Sequence, residues 1–417
     1  MGHDEKGQIG EDFVNHIAYR SFLKYWCYPG PRNITEDFHE ICDLLIVFES
    51  TCLIVSVKNY EFKGNYDRFF RSTIEKAIKQ INGAERTLLR DKPLLLEHPD
   101  REPELFEKSK ITDFYRIIVN LSTHTKFYQT SFFEKGKNIA VMDAEAWNNS
   151  IMVLDTLPDF IGYLKARFEL FKDRPAFMFP REEFDFSAND AQSARRLVDA
   201  KAVKNSGLST ILGTELDLIT NYIKNGFKFS EELLDRKDMN LSMHIDGQWE
   251  KFKSSALFTE KANFEKDSYF IDNIVKKHII GSDRGHHLSK MLFSLNRIER
   301  AIFARHFLKY HRNVVDASQD VRMNRTHFVG LNLHMVFLCY NDECEKEELD
   351  EILEFSSIHH HYLHNFNCKE VGTVGMSKTS ERYVFGYSKF EEKPPADLIK
   401  IYEKYFKLKG WKIKEEK

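Results

Sequence analysis

A hairpin-like stretch near the start of the chain, ICDLLIVFESTCLIVSVKNY over residues 41–60, constrains the fold more than any other part of the sequence. Two apolar runs flank a short polar segment, and apolar runs of this length bounded by turn residues are typical of buried β-strands. We predict a turn over Glu49, Ser50 and Thr51, with one strand ending at Phe48 and the next beginning at Cys52. The surface of this strand pair would consist mostly of Leu, Ile and Val.

Polar side chains interrupt that apolar surface at one place. A three-residue turn would put Asp43 opposite Val57, and a turn shorter or longer by one residue would put it opposite Ser56 or Lys58. Ser56 and Lys58 share one face because side chains alternate along a strand. In each alternative a carboxylate, a hydroxyl and an ammonium group are neighbours, which makes this surface a candidate site.

Composition bounds the class of protein. A chain of 417 residues exceeds one ordinary core and predicts two or three domains, and 42% hydrophobic with 30% charged residues is the balance of a globular protein. No apolar run approaches the roughly 18 residues that span a bilayer. The polar N-terminus does not resemble a signal peptide, and the cysteines form no CxxC pair. We expect a cytoplasmic protein without a membrane partner.

The order of predicted elements indicates a mixed α+β fold. A helix over residues 10–26 precedes the hairpin, a second amphipathic helix covers residues 68–89, and strands follow near residues 117–121 and 139–142. A further helix closes the unit near residue 170. We predict a mixed sheet flanked by helices in a first domain and three further segments, with the boundaries 1–175 for the domain, 176–205 for a linker, 206–325 for a mostly helical region and 326–417 for a small α/β domain.

The segment after the hairpin is basic. Residues 58–92 carry nine cationic and five acidic side chains, although the whole chain has a formal net charge of −3. One interpretation is a solvated amphipathic helix. The other is a surface that binds nucleic-acid phosphates and stacks exposed bases on its aromatic rings. The candidate phosphate-binding side chains are Lys63, Arg68, Arg71, Lys79 and Arg86.

Three segments resemble the PD-(D/E)xK nuclease superfamily, whose fold is the restriction-endonuclease-like fold. They are Glu40-Ile41-Cys42-Asp43, Ser56-Val57-Lys58 and the helical stretch KQINGAER. In that superfamily an acid on one strand and an acid-x-Lys on the next surround a divalent metal ion. The same segments, with VLDTLPDFIGYLKARFE, are similar to a group of uncharacterised bacterial proteins with predicted nuclease domains and a D…SxK variant of the motif. The resemblance covers residues 1 to about 175.

The resemblance implies a metal-dependent endonuclease that uses Mg²⁺ or Mn²⁺, with DNA favoured over RNA and a role in bacterial antiviral defence. Asp43 would be the principal metal ligand, and Glu11 on the preceding helix a direct or water-mediated one. Lys58 would offset charge in the transition state, and Gln80 would orient water or phosphate. The C-terminal half would bind a second copy of the chain, as in a homo-oligomer, or a partner protein.

Ser56 departs from the superfamily pattern, which has a second acid at this position. A neutral hydroxyl is a poor ligand for Mg²⁺. Activity would persist if Glu11 takes the vacant role, if one metal ion suffices, or if the substrate phosphate supplies the missing oxygen. The alternative is a catalytically inactive nuclease-fold module that binds nucleic acid or a partner protein as a scaffold or sensor.

A predicted helix in the C-terminal half carries His359, His360, His361 and His364. His360 and His364 have the i, i+4 spacing that can chelate zinc. No acid is interposed as in HExxH, and the nearby Cys368 is a single thiol. We interpret these histidines as a polar helix face, and a histidine-rich zinc protein is the alternative.

Overall fold

The structure is a computed structural model that describes residues 3–32, 39–61, 63, 65–122, 128–134, 136–172, 175–179, 209–234, 240–280, 285–316 and 318–411. These residues form a mixed α+β protein, as the sequence predicts. The chain divides into two compact units, Met1–Thr259 and Glu260–Lys417. Among the described helices, none is long and apolar enough to cross a membrane.

The first unit is built on one large sheet. The described strands of this unit are β1 (Cys27–Pro29), β2 (Leu44–Phe48), β3 (Thr51–Lys58), β4 (Leu95–His98), β5 (Arg101–Leu105), β6 (Asp113–Asn120), β7 (Tyr128–Glu134), β8 (Lys137–Asp143), β9 (Ala176–Phe179), β10 (Ser209–Leu212) and β11 (Leu241–His244). The sheet has nine strands in the order β1-β2-β3-β6-β8-β7-β9-β10-β11, and β4 pairs separately with β5. Because β3 runs parallel to β6, the chain must cross over between them, and it does so through a helix.

The described helices of the first unit are α1 (His3–Arg20), α2 (Tyr66–Phe70), α3 (Lys76–Leu88), α4 (Ala144–Val153), α5 (Leu157–Leu170), α6 (Glu215–Lys224), α7 (Glu231–Leu234) and α8 (Gln248–Lys253). The boundary between the two units falls within the next helix, α9 (Ala256–Glu265). Short 3₁₀ turns lie at Phe22–Tyr25 and Lys108–Lys110. The predicted helix over residues 10–26 therefore ends earlier, because the Ser21 side chain accepts a hydrogen bond from the backbone N–H of Leu23 and caps the 3₁₀ turn that follows.

The turn between β2 and β3 is one residue shorter than predicted. Leu44 pairs with Val55 and Phe48 with Thr51, so Thr51 belongs to β3. Glu49, the first turn residue, has a φ of 50°. Two-residue turns with a left-handed first residue match the twist of antiparallel strands, which favours them over the predicted three-residue turn. Of the three alternatives for Asp43, the structure therefore has the one that places it opposite Ser56.

The helix after β3 covers one face of the sheet. A single π-helical turn over Arg71–Glu75 joins α2 to α3. The predicted apolar positions are buried, and they pack on a core that includes Cys52 and Ile54 of β3; among these positions are Ile74, Ala77, Ile78, Ile81 and Leu88. A π-helical turn accommodates an extra residue and often occurs near functional sites.

The sheet continues past the predicted end of the first domain. β9, which begins at Ala176, and β10 and β11 pair in parallel within the same sheet. A buried ion pair of 2.7 Å joins Arg167 of α5 to Glu215 of α6. The first unit thus extends to Thr259, and the predicted helical region over residues 206–325 is divided between two units. The predicted linker over residues 176–205 begins with β9 and, from residue 180, lies outside the described residues.

The second unit contains a smaller sheet and its own helices. The helices are α10 (Tyr269–Ile274), α11 (Gly285–Phe293), α12 (Arg297–Val314), α13 (Lys346–Leu363) and α14 (Ala396–Leu408), with 3₁₀ turns at Lys266–Ser268 and Val329–Leu331 and a π-helical turn at Val275–Ile279. The strands are β12 (Val321–Phe328), β13 (Leu333–Tyr340), β14 (Glu370–Ser377) and β15 (Tyr383–Lys389). They pair in this order, with β13 and β14 parallel.

The apolar stretch HFVGLNLHMVFLCY over residues 327–340 has the sequence pattern of one strand, but it contains the end of β12, a 3₁₀ turn and all of β13. Asn332 closes that turn with a φ of 48°. The apolar residues Phe328, Val329 and Leu331 concealed the reversal from the sequence pattern. The predicted domain boundary at residue 326 consequently falls inside β12.

Candidate functional site

Asp43, Ser56 and Lys58 converge where β2 begins and β3 ends. Ser56 Oγ lies 3.2 Å from Asp43 Oδ2, and Lys58 Nζ donates a hydrogen bond of 2.9 Å to Ser56 Oγ. Lys58 Nζ is 3.7 Å from Asp43 Oδ2, and both side chains are only 11% exposed. The backbone N–H of Val57 also donates to Asp43. The three predicted residues therefore form one hydrogen-bonded, largely buried group.

Gln80 joins this group from α3. Its Oε1 lies 3.3 Å from Ser56 Oγ, while the rest of its side chain is exposed. The position follows from the helical period, because Ala77, Ile81 and Ala84 face the core and leave Gln80 at the border of the apolar stripe. Ser56 has one proton, so it can donate to Asp43 or to Gln80 while accepting from Lys58.

Glu11 lies close enough to the group to interact electrostatically with Asp43 and Lys58, because α1 packs closely against the ends of β3 and β6. A Cβ atom on Gly10 would lie 2.9 Å from Cβ of Asn59 and 3.1 Å from Cδ1 of Leu121, so only glycine permits this approach. Burial, and after it the charges of Asp43 and Glu40, raise the pKa of Glu11 to about 7, although the charge of Lys58 opposes the rise.

Glu40 is a carboxylate to which the sequence motif assigned no role. Burial raises the pKa of the Glu40 carboxyl, and so does the charge of Asp43, whereas Arg32 and Lys58 lower it. The backbone of Glu40 forms an isolated β-bridge with Arg32 ahead of β2. In the sequence, the position of Glu40 three residues before Asp43 was the one indication of its role. The strand pattern alone did not show that both carboxylates lie near Lys58.

A cavity of about 820 Å³ opens beside these side chains. Glu40, Asp43, Ser56 and Gln80 line it. Arg86, in the last turn of α3, and Arg90, just after that helix, line it as well. Arg86 was predicted to bind phosphate, whereas Arg90 has no such role in the sequence motif.

The other predicted phosphate-binding residues are exposed on the segment after β3. They are Lys63, Arg68, Arg71 and Lys79, and none of the four is among the described residues that line the cavity. The prediction that the interleaved aromatic rings stack on bases is wrong for Phe69, which is 5% exposed and packs on Tyr60 with ring centroids 6.2 Å apart. Phe70 packs on Phe132 in the same way.

The donor set fits a hard divalent cation. Glu11, Glu40 and Asp43 offer carboxylate oxygens, the ligands that Mg²⁺ and Mn²⁺ prefer. Burial, and after it the charge of Asp43, raises the pKa values of Glu11 and Glu40, and a bound cation would oppose both effects by favouring the carboxylate forms. Ser56 instead serves Lys58 as a hydrogen-bond acceptor, so a carboxylate from Glu11 or Glu40 would have to take the role of the missing acid.

The histidines of α13 are not a polar, solvated face. His359, His360 and His361 are 0%, 1% and 2% exposed, which shows that this interpretation was wrong. His360 Nε2 lies 2.9 Å from Nδ1 of His334 on β13. Burial, assisted by neighbouring imidazoles, lowers the pKa of His334 to about 4 and that of His360 to about 3.

Comparison of the sequence with protein families and with curated proteins yields no match in either case. What this site can do therefore follows from its own residues.

Proposed function

We propose that the unit Met1–Thr259 is a metal-dependent endonuclease of the PD-(D/E)xK kind that cleaves phosphodiester bonds of DNA. The observation that carries the proposal is the group of Asp43, Ser56 and Lys58, in which Lys58 Nζ is 3.7 Å from Asp43 Oδ2. The surrounding mixed sheet, with helices on β3 and β6, supports a restriction-endonuclease-like fold.

Asp43, Glu11 and Glu40 would hold Mg²⁺ or Mn²⁺. Such an ion, when bound, supplies the positive charge that polarises the phosphodiester and acidifies the attacking water. Glu40 adds the carboxylate that Ser56 lacks. Since the pKa of Glu11 is about 7 without a cation, its carboxylate form would be secured at neutral pH by binding one.

Lys58 would stabilise the negative charge that builds on the phosphorus oxygens. Ser56 Oγ and the carbonyl oxygen of Val57 accept its hydrogen bonds at 2.9 and 2.6 Å and thereby fix the position of the ammonium group. Ser56 is a positioning residue in this account. Gln80, hydrogen-bonded to Ser56 and exposed toward the cavity, would orient a phosphate oxygen or a water molecule.

The cavity supports a polyanionic substrate. Arg86 and Arg90 line the same cavity as Asp43, and there they would neutralise the phosphates that flank the cleaved bond. Arg86 already donates from Nε to the carbonyl oxygen of Asn82, which orients its guanidinium along α3.

The proposal is tested by incubating supercoiled plasmid, single-stranded DNA and total RNA with the full-length protein and Mg²⁺ or Mn²⁺. Wild type, Lys58→Ala and Lys172→Ala are compared, because Lys172 is an exposed lysine paired with Glu169 outside the site. Cleavage of DNA by wild type and Lys172→Ala, lost in Lys58→Ala and in EDTA, is the expected result. Absence of cleavage by wild type on all substrates, or equal cleavage by Lys58→Ala, would refute the proposal.

A second candidate is a nuclease-fold module that binds without cleaving. The observation that favours it is Ser56, whose hydroxyl occupies the place of an acid and engages Lys58 and Asp43. This candidate predicts DNA binding that is independent of Mg²⁺ and equal in wild type and Asp43→Asn, with no cleavage by either.

A further inference from the structure

Four imidazoles meet between the β12–β13 hairpin and the end of α13. His327 and His334 are cross-strand partners, and their rings stack with centroids 3.9 Å apart. His364, just after α13, has its ring centroid 5.3 Å from that of His327 and 4.9 Å from that of His334. His360, one helical turn earlier, lies 5.1 Å from His334 and 4.5 Å from His364 by the same measure.

The ring nitrogens of this cluster are close enough to share one ion. His327, His334 and His364 each offer a nitrogen, and these three atoms lie within 4.8 Å of one another. His334 also belongs to a second set, with His360 and Cys368, that meets the same limit. The helical spacing of His360 and His364 was visible in the sequence, whereas the contribution of β12 and β13 depends on the fold.

Two ring nitrogens of the cluster are buried without a hydrogen-bond partner among the described residues, His327 Nε2 and His360 Nδ1. His360 as a whole is 1% exposed. A buried polar atom left unpaired costs free energy, so natural proteins rarely keep one without a reason. For His327 Nε2, a ligand that accepts a nitrogen lone pair would supply that reason.

We propose that His327, His334 and His364 bind a transition-metal ion of the zinc class. Neutral imidazoles suit Zn²⁺ and its neighbours, whereas Mg²⁺ and Ca²⁺ require oxygen ligands. A tetrahedral site with Zn–N bonds of about 2.0–2.1 Å places ligand nitrogens roughly 3.3 Å apart. The ring nitrogens now lie within 4.8 Å of one another, so binding the ion would require rotation about the broad χ2 torsions of the imidazoles.

His360 would act as an outer partner of this site. Its Nε2 lies 2.9 Å from Nδ1 of His334, and metal-bound histidines commonly use their second nitrogen in such a bond, which fixes the ring orientation. Three protein ligands leave a fourth position for water or another side chain. The ion would tie the end of α13 to the β12–β13 hairpin, and the inference is independent of the nuclease proposal.

Zinc binding is measured on the full-length protein after removal of any affinity tag and treatment with EDTA. Zn²⁺ is titrated in competition with a chromophoric chelator, for wild type, His334→Gln, His327→Gln and the control His278→Gln. His278 is exposed and lies in the same unit outside the cluster. We expect one ion per chain, unchanged affinity in His278→Gln, and a loss of at least about 100-fold in the other two variants.

If His334→Gln does not fold, the partly exposed His327 carries the test through His327→Gln. Equal affinity in wild type and His327→Gln, or less than half an ion per wild-type chain, would overturn the proposal. Cys368→Ser separates the two ligand sets: unchanged affinity supports the three-histidine site. If Cys368→Ser lowers the Zn²⁺ affinity more than about tenfold while His327→Gln leaves it unchanged, the ion is bound by the set that contains the thiolate, and the three-histidine assignment is overturned.

Discussion

Lys58 Nζ donates a hydrogen bond of 2.9 Å to Ser56 Oγ, so the residue that replaces the expected acid holds the ammonium group of the candidate catalytic lysine. Two residues apart on β3, the side chains share a face and point toward α3. A carboxylate at position 56 would meet both Lys58 and Asp43. The serine thus changes the charge of the site while preserving its hydrogen-bond connections.

Replacing Ser56 by Asp tests this relationship. The added carboxylate should bind the metal ion more tightly, and we expect the Mg²⁺ concentration for half-maximal cleavage to fall about 5- to 10-fold. Ser56→Ala is the matched control, because it removes the acceptor for Lys58 without adding charge and should lower the maximal rate instead. An unchanged Mg²⁺ requirement in Ser56→Asp would contradict a metal site next to residue 56.

The carboxylate of Asp43 also stabilises the end of the hairpin. It accepts from the backbone N–H of Val57 and lies 3.2 Å from Ser56 Oγ. Asp43→Ala leaves that N–H unpaired, and we expect a loss of about 1–3 kcal/mol in the free energy of unfolding. Asp43→Asn keeps an acceptor oxygen and should lose less. Urea unfolding in EDTA measures both, and equal stabilities of the two variants would argue against this hydrogen bond.

Glu11 should make stability and metal binding depend on pH. Its pKa in the folded protein is about 7, above the ordinary value of 4.5, because of burial and then of Asp43 and Glu40. Between these two values the folded state binds more protons than the unfolded state, so stability in EDTA falls as pH rises from 4.5 to 7.

The measurement for Glu11 is the urea midpoint from pH 4.5 to 8 in EDTA. Glu11→Gln should flatten the decline and be more stable than wild type at pH 8, since it removes a charge that the site disfavours without a cation. In wild type, Mn²⁺ should raise the melting temperature more at pH 8 than at pH 6. Parallel pH profiles for wild type and Glu11→Gln would show that Glu11 is not close to the other acids.

Arg86 and Arg90 should govern the salt dependence of DNA binding. Both arginines line the cavity. Loss of one phosphate contact reduces the slope of log affinity against log salt concentration by about 1. Binding of duplex DNA is measured in the Asp43→Asn background, with Arg86→Ala, Arg90→Ala and the distant control Lys172→Ala. Slopes that stay the same in both arginine variants would place the DNA elsewhere.

The buried pair Arg167–Glu215 should hold β9–β11 and α6 in the same unit as the hairpin. Both side chains are 1% exposed, and Tyr163 also donates to Glu215 at 2.6 Å. Glu215→Ala removes the carboxylate that neutralises the buried Arg167 charge and leaves it only its hydrogen bonds to neutral groups such as Thr130, which costs about 3–5 kcal/mol. Glu169→Ala removes the partner of Lys172 at the surface and should cost less than about 0.5 kcal/mol. Similar urea midpoints for the two variants would contradict a shared core.

Local patterns predicted the hairpin from its two apolar runs and short polar turn, and α3 from its helical spacing of apolar residues. Ile74, Ile78 and Ile81 recur at helical spacing and are buried as predicted. The candidate site was found for the same reason, since Asp43, Ser56 and Lys58 are joined by a short turn and strand alternation alone makes them neighbours.

Features that depend on distant pairing were missed. β9, β10 and β11 have four residues each, too few for a periodic signal, and they join the sheet through partners far along the chain. Glu40 lies near Lys58, and its backbone is paired with that of Arg32 in an isolated β-bridge ahead of β2. His327 and His334 meet His364 only after the β12–β13 hairpin packs on α13, which no local spacing contains.

Cleavage of phosphodiester bonds by the group around Asp43 is measured most directly as the rate at which wild type and Asp43→Asn cut supercoiled plasmid. Both proteins are assayed in Mg²⁺ and in Mn²⁺ at a temperature where each is folded. We expect metal-dependent cleavage by wild type and a loss of at least about 100-fold in Asp43→Asn. Equal rates for the two proteins, or no cleavage by wild type with either metal, would contradict it.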